Sequence, residues 1–247
     1  MMAFSGKAAL VTGGTRGMGA AIVRHLAKGG ADVAFTYANS GDKAATRSVN
    51  SRHSADGPLA IQADNGDPDA VRGAAVDRAA SELGRLDILV NNAGIFPSGP
   101  FEKVTLEELD RTLAIHVRGV FVASQAALAH MPQGGRIISI GSCFAQRVPY
   151  GGVTLYSMSK SALIGLTKGL AREVGERGIT VNVIDPGSTD TDMNPATGPA
   201  VAAELALMSV KHYAQPEDIA ATVGHLASAS GRFITGTSIA VDGGFSA

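Results

Sequence analysis

Tyr156 and Lys160 stand four residues apart, and the run Thr12-Gly13-Gly14-Thr15-Arg16-Gly17-Met18-Gly19 lies far upstream of them. On a helix, four residues put the phenol and the ammonium on one face. A tyrosine of ordinary pKa, about 10, is a reluctant acid–base group at neutral pH. A neighbouring cation favours its phenolate and brings it into range. Such a tyrosine can give a proton to a ketone oxygen while hydride reaches the carbonyl carbon. The glycine run supplies the other half of that chemistry, a seat for a dinucleotide pyrophosphate. Gly13 allows a sharp turn, Gly17 and Gly19 allow close approach, and the helix that follows offers free N–H groups to the anion. Ser142 ends a strand-like segment, Arg136-Ile137-Ile138-Ser139-Ile140-Gly141, where its hydroxyl can meet a substrate carbonyl. Ser139, within the strand, reads as packing.

These residues need a scaffold, and the hydrophobic pattern predicts one. Strands are expected at 7–12, 32–37, 58–63, 86–91, 135–141, 179–184 and 237–241. Helices are expected near 17–28, 67–83, 105–131, 155–176 and 216–228. The alternation predicts an α/β fold, a parallel sheet with helices on both faces. With no linker and no change of composition, residues 1–247 read as one domain. The second strand, Ala31 to Tyr37, ends in Tyr37-Ala38-Asn39-Ser40, with no acid before Asp42, and Asp32 comes too early. An NAD site would carry an acid at that end for the ribose hydroxyls. Arg16, inside the loop, can instead pair with a 2′-phosphate. This favours NADPH over NADH.

Taken together, these motifs resemble the short-chain dehydrogenase/reductase family, in its NADP-preferring subgroup, over essentially the whole chain. Thr12-Gly13-x-x-x-Gly17-x-Gly19 matches the nucleotide loop, and Asn91-Asn92-Ala93-Gly94 the motif after the fourth strand. Ser142, Tyr156 and Lys160 match the catalytic positions. Pro186-Gly187 with Thr191 matches the segment holding the nicotinamide carboxamide, and Asp64 an acid beside the adenine. Ile234-Thr235-Gly236 and Val241-Asp242-Gly243-Gly244 match the C-terminal end. The resemblance implies a single-domain, Rossmann-type, doubly wound parallel sheet of about seven strands. It implies NADPH/NADP+ held by Gly13, Thr15, Arg16, Gly17, Met18, Gly19, Tyr37, Asn39, Ser40, Asp64, Asn65, Asn92, Ala93, Gly94, Tyr156, Lys160, Pro186, Gly187, Thr189 and Thr191. No metal is implied.

Three departures qualify it. The family's fourth catalytic residue is an asparagine after strand four; here Ala114-Ile115-His116-Val117-Arg118 places His116 there. His116 either holds the water that contacts the lysine, weakens the proton relay, or is simply packed in its helix. Ser142 precedes Tyr156 by 14 positions, one more than is usual in acyl-carrier-protein reductases, which is more like the naphthol and polyketide ketoreductase branch. The stretch His130 to Gly135 lacks the basic residues that meet an acidic carrier, leaving Arg172 and Arg177.

The expected substrate is a small-to-medium apolar ketone, diketone, quinone or 3-oxoacyl-type molecule. Phe96, Phe144, Val148 and Tyr150 are candidate pocket walls, and a lid is expected near 188–213, framed by Gly198 and prolines. A second resemblance keeps another class open. Gly178 to Val183, Asn194 to Pro199 and the Arg-Val-Pro after Gln146 also resemble a nucleotide-binding regulator of the cyclic-di-GMP type, on the same scaffold with little catalysis.

The 247 residues carry a net charge of −1, which gives no broad drive toward nucleic acid. No membrane partner is expected, since no uninterrupted apolar run of 18 residues and no leader is evident, and the expected location is cytoplasmic. Charged residues are 17%, low enough to suggest surface covered by sister subunits, and the resemblance implies a homotetramer or homodimer. Arg118, Phe121, Gln125 and Leu163 to Leu170 are the candidate contacts, by resemblance. Cys143 is the lone cysteine, so no intrachain disulfide forms, and it reads as a packing residue.

Overall fold

A computed structural model describes residues 2–39 and 57–247. Ser40 and Asp42 lie outside the described residues. Seven parallel strands form one sheet: β1 (Ala8–Val11), β2 (Asp32–Tyr37), β3 (Leu59–Gln62), β4 (Ile88–Asn91), β5 (Arg136–Ile140), β6 (Thr180–Pro186) and β7 (Ser238–Val241). Their order is β3-β2-β1-β4-β5-β6-β7. The expected strands are all present, each within a residue or two of its predicted bounds.

The strands read as apolar runs because both faces are covered. Ala9 and Val11 pack on one side with Ile22, Val23 and Leu26 of α1 (Gly17–Lys28) and Ile219, Val223 and Leu226. Those last three belong to a C-terminal helix, Pro216–Ala227, which starts with proline at its first position, where a missing N–H costs nothing. Leu10 points the other way, into a second core with Val71, Val76, Ala123, Met131 and Val174. A period of two in β1 thus feeds two cores.

Two predicted helices depart from simple geometry. Residues 67–83 divide into a π-helical stretch, Ala70–Asp77, and α2 (Arg78–Leu83). The expected helix 105–131 is α3 (Leu106–Leu113), a π-helical turn Ala114–Arg118, and α4 (Gly119–His130). Its 25 residues hold an 18-residue window of mean hydropathy 1.3, and 56% of that window is buried in the fold, so the stretch reads as a core helix. Next comes α5 (Thr154–Val174), followed by α6 (Val201–Leu207) within the expected lid, and Pro216–Ala227 is α7.

β1 pairs with β2 on one side and β4 on the other, so the chain reverses its winding there. The crevice beyond the C-terminal ends of these strands is where such sheets bind ligands. Leu163, offered above as an intersubunit contact, is 2% exposed and packs with Val120 and Val183 of its own chain. Arg118 donates to the Gly66 carbonyl, while Phe121 is 53% exposed.

Candidate active site

The glycine loop turns between β1 and α1. Gly13 and Gly17 have φ of 66° and 50°, which favours glycine. A Cβ on Gly19 would lie 2.1 Å from the Gly13 carbonyl oxygen, so no larger residue fits that contact. The loop is tied to the segment after β4. Thr12 Oγ1 accepts the Asn92 and Ala93 N–H groups at 2.9 and 3.0 Å. Asn92 Nδ2 donates to the Thr12 and Gly13 carbonyls, both at 2.9 Å. From β2, Thr36 Oγ1 accepts from the Gly13 N–H.

A cavity of about 310 Å³ runs along this loop. Of the predicted cofactor residues it brings together Gly13, Thr15, Arg16, Gly17, Met18, Gly19, Tyr37, Asn39, Asp64, Asn65, Asn92, Ala93, Gly94, Tyr156, Lys160 and Thr191. Pro186, Gly187 and Thr189 line the adjoining pocket instead. Thr36, Ile95, Arg111, Ile115, Asp192 and Met193 also line the cleft and were missed. They carry no motif; the fold brings them in from β2, the loop after β4, α3, the π-turn and the segment after β6. Arg16 is paired with Asp192 at 2.7 Å across the cleft, both half-exposed, and Asp64 with Arg111 at 3.0 Å. A guanidinium held in the wall, and no acid at the end of β2, fit a nucleotide bearing a 2′-phosphate.

The catalytic candidates converge at the floor. Lys160, 5% exposed, donates to the Ile140 carbonyl at 2.9 Å, and its Nζ lies 5.8 Å from the Tyr156 ring centre. Burial pulls its ammonium down to about 8. Burial likewise pushes the Tyr156 phenol up to about 12, against a hydrogen bond with Ser142 that acts downward. This corrects the expected lowering: with the protein's own groups alone, desolvation outweighs the Ser142 hydrogen bond. Ser142 Oγ also accepts the Phe144 N–H at 3.2 Å.

His116 sits on the π-turn, 1% exposed. Its Nε2 accepts the Ile95 N–H at 2.9 Å, and its Nδ1 lies 2.8 Å from Ser159 Oγ. Burial, aided by the Lys160 charge, holds the imidazole down to about 3. The ring is therefore neutral, and with Nε2 accepting, Nδ1 carries the hydrogen. Ser159 in turn donates to the Tyr156 carbonyl at 2.7 Å. His116 thus links the loop after β4 to the turn of α5 that carries the tyrosine.

A second cavity, about 410 Å³, opens on the far side of Tyr156 and shares Met18, Gly141, Thr191 and Met193 with the cleft. Phe96 stacks edge-on to Tyr156 at 4.7 Å, and Phe144 meets Tyr150 at 5.5 Å and Phe245 at 5.6 Å. Val148 is not among its walls and is 52% exposed. Phe245 and Glu204 were missed, since each arrives from a distant segment. Glu204, on α6, is held by Ser188 Oγ and by Asn194 Nδ2 at 3.0 Å. Cys143 packs against Met208 and Phe245, and burial pushes its thiol up to about 12.

A nucleotide cleft and an apolar pocket meeting at one tyrosine define a Rossmann-type oxidoreductase site. The family model described as "Enoyl-(Acyl carrier protein) reductase" matches residues 13–246. The chain belongs to the short-chain dehydrogenase/reductase family. Among solved structures it is similar to a blue fluorescent protein from a metagenomic library in complex with NADPH, at 55% identity and a TM-score of 0.96, covering 99% of this chain and 100% of that one. It is 44% identical, over the full length of both, to the cyclic-di-GMP-binding biofilm dispersal mediator protein of Escherichia coli. It is 39% identical to a probable tetrahydroxynaphthalene reductase of Zymoseptoria tritici, covering 96% of this chain and 94% of that one.

Proposed function

We propose that the protein is an NADPH-dependent carbonyl reductase acting on a small-to-medium apolar ketone or 3-oxoacyl-type substrate. The observation that carries this reading is Tyr156, standing in the wall of both cavities with Ser142 and Lys160 beside it. NADPH, when bound, supplies the hydride. The glycine loop would hold its pyrophosphate, Arg16 its 2′-phosphate, and Lys160 its nicotinamide ribose.

A phenol near 12 remains protonated at neutral pH. It is therefore a donor in waiting, and it releases its proton as negative charge builds on the substrate oxygen. Ser142 orients that oxygen by a second hydrogen bond. The Lys160 ammonium favours the phenolate left behind. His116 holds the Tyr156 turn in place through Ser159. The aromatic walls favour planar or aryl ketones and quinones, and they exclude water from the oxygen. The relative named as a tetrahydroxynaphthalene reductase supports that choice. We read residues 1–247 as one domain with its lid near 188–213, working in the cytoplasm as a homotetramer. Exposed Phe121 and Met158 support the assembly.

The test is loss of 340 nm absorbance with NADPH and then NADH, across ketones, diketones, quinones and β-ketoacyl thioesters. NADPH-dependent turnover on aryl ketones is expected. The relative that binds cyclic di-GMP favours a second reading, a nucleotide-binding regulator on this scaffold. Tight binding of cyclic di-GMP, with no turnover on any substrate, would establish that reading instead.

A further inference from the structure

Behind the catalytic serine lies a buried carboxylate. Asp185, next to last in β6, has no exposed surface and lines neither cavity. Its Oδ1 accepts the Ser142 N–H at 3.1 Å. Its Oδ2 accepts from Gln146 Nε2 at 3.2 Å and from the Ser238 hydroxyl. Gln146 Nε2 also donates to Ser238 Oγ at 2.9 Å, which commits the serine's own hydrogen to Asp185. All three partners donate. Three donors suit a carboxylate, which only accepts. The end of β5 is cleared for it: a Cβ on Gly141 would fall 2.0 Å from Oδ1.

Among the described residues no lysine, arginine or histidine forms an ion pair with Asp185. A buried charge needs an opposite one. Lys160, buried on α5, is held on the Ile140 carbonyl, and Ile140 pairs across the sheet with Ile184, the residue before Asp185; Asp185 favours its ammonium while burial opposes it. The other titratable groups facing Lys160 and Tyr156 are His116 from the π-turn and Cys143 after β5; Asp242, after β7, faces Cys143. His116 is neutral and adds no negative charge.

We propose that Asp185 is a positioning residue for the catalytic set: its carboxylate fixes the Ser142 main chain and supplies the negative charge that keeps the buried Lys160 an ammonium. This rests on the reductase reading of Ser142, Tyr156 and Lys160. Replacement by asparagine keeps the shape and an acceptor for the Ser142 N–H and removes only the charge. Lys160 then gives up its proton at lower pH. The basic limb of the kcat profile should move about one unit to lower pH in Asp185→Asn, with turnover near pH 8 down about fivefold. Asp185→Ser, which also removes the charge, should move it the same way. A profile that overlays that of the unaltered enzyme, in either folded variant, overturns the proposal.

A second measurement needs no turnover. In the unaltered protein the Lys160 Cε resonance, assigned against Lys160→Arg, should titrate near 8. Titration at or below neutrality would overturn the proposal. If no ketone is reduced, the reductase reading fails, and a Lys160 titration that still shifts in Asp185→Asn keeps the charge pairing standing.

Discussion

The cleft along the glycine loop and the aromatic pocket meet at Tyr156, yet they are built from different materials. The cleft is walled by main chain and short polar side chains: Gly13, Gly17, Gly19, Thr15, Asn92 and Gly94. The pocket is walled by rings, Phe96, Phe144, Tyr150 and Phe245, drawn from separate segments. A wall of main chain demands particular backbone angles and the absence of Cβ atoms, so one substitution breaks it. A wall of rings asks for apolar volume of suitable shape, and it tolerates exchange.

Their shared residue gives the largest expected effect. Tyr156→Phe should lower kcat by about a thousandfold while leaving NADPH affinity nearly unchanged. Equal loss in both would show that the tyrosine serves the cleft alone. Gly19→Ala comes next, because the new Cβ meets the Gly13 carbonyl. NADPH affinity, followed by cofactor fluorescence, should fall by at least about tenfold, together with Tm. Arg16→Ala should cost about tenfold in NADPH affinity and nothing in NADH affinity. Its exposed pair with Asp192 contributes about 1 kcal/mol or less, so Tm should hardly move. On the pocket side, Tyr150→Ala should raise KM for an aryl ketone about fivefold and spare a short aliphatic one. An equal change for both would mean the rings do not select the substrate.

A further effect is one of pH. His116 titrates near 3 in the fold, below its ordinary value of about 6.5. The unfolded chain therefore binds the extra proton first, so the fold gains stability as pH rises from about 3 to about 6.5 and loses it on the way down. Tm measured through that window should fall less steeply in His116→Asn than in the unaltered protein.

The same contrast decides what could be read from the chain. The strands were legible because a parallel strand covered on both faces is a short apolar run, as in Ile88-Leu89-Val90. The loop was legible because positive φ at Gly13 and Gly17 restricts the residue type. The pocket was only half legible. Phe96, Phe144 and Tyr150 lie near motif residues, whereas Phe245 and Glu204 reach it through the fold and Val148 turns away. Asp185 was invisible beside Pro186-Gly187, because its meaning lies in the Ser142 N–H and Lys160, both supplied by other elements. The π-turn was hidden as well, since a widened turn keeps the apolar pattern of an ordinary helix.

The central place of β1 also bears on how the molecule assembles. Thr12 and Asn92 are 80 positions apart, and each holds the other's main chain. During synthesis, β1 has β2 on one side and an open edge on the other until β4 emerges. Closing so long a loop costs entropy before its contacts repay it. The phosphate seat is therefore a late product of folding. Until then the nascent chain carries Ala8–Val11 as an unpaired apolar edge, which is the stretch a chaperone would have to shield.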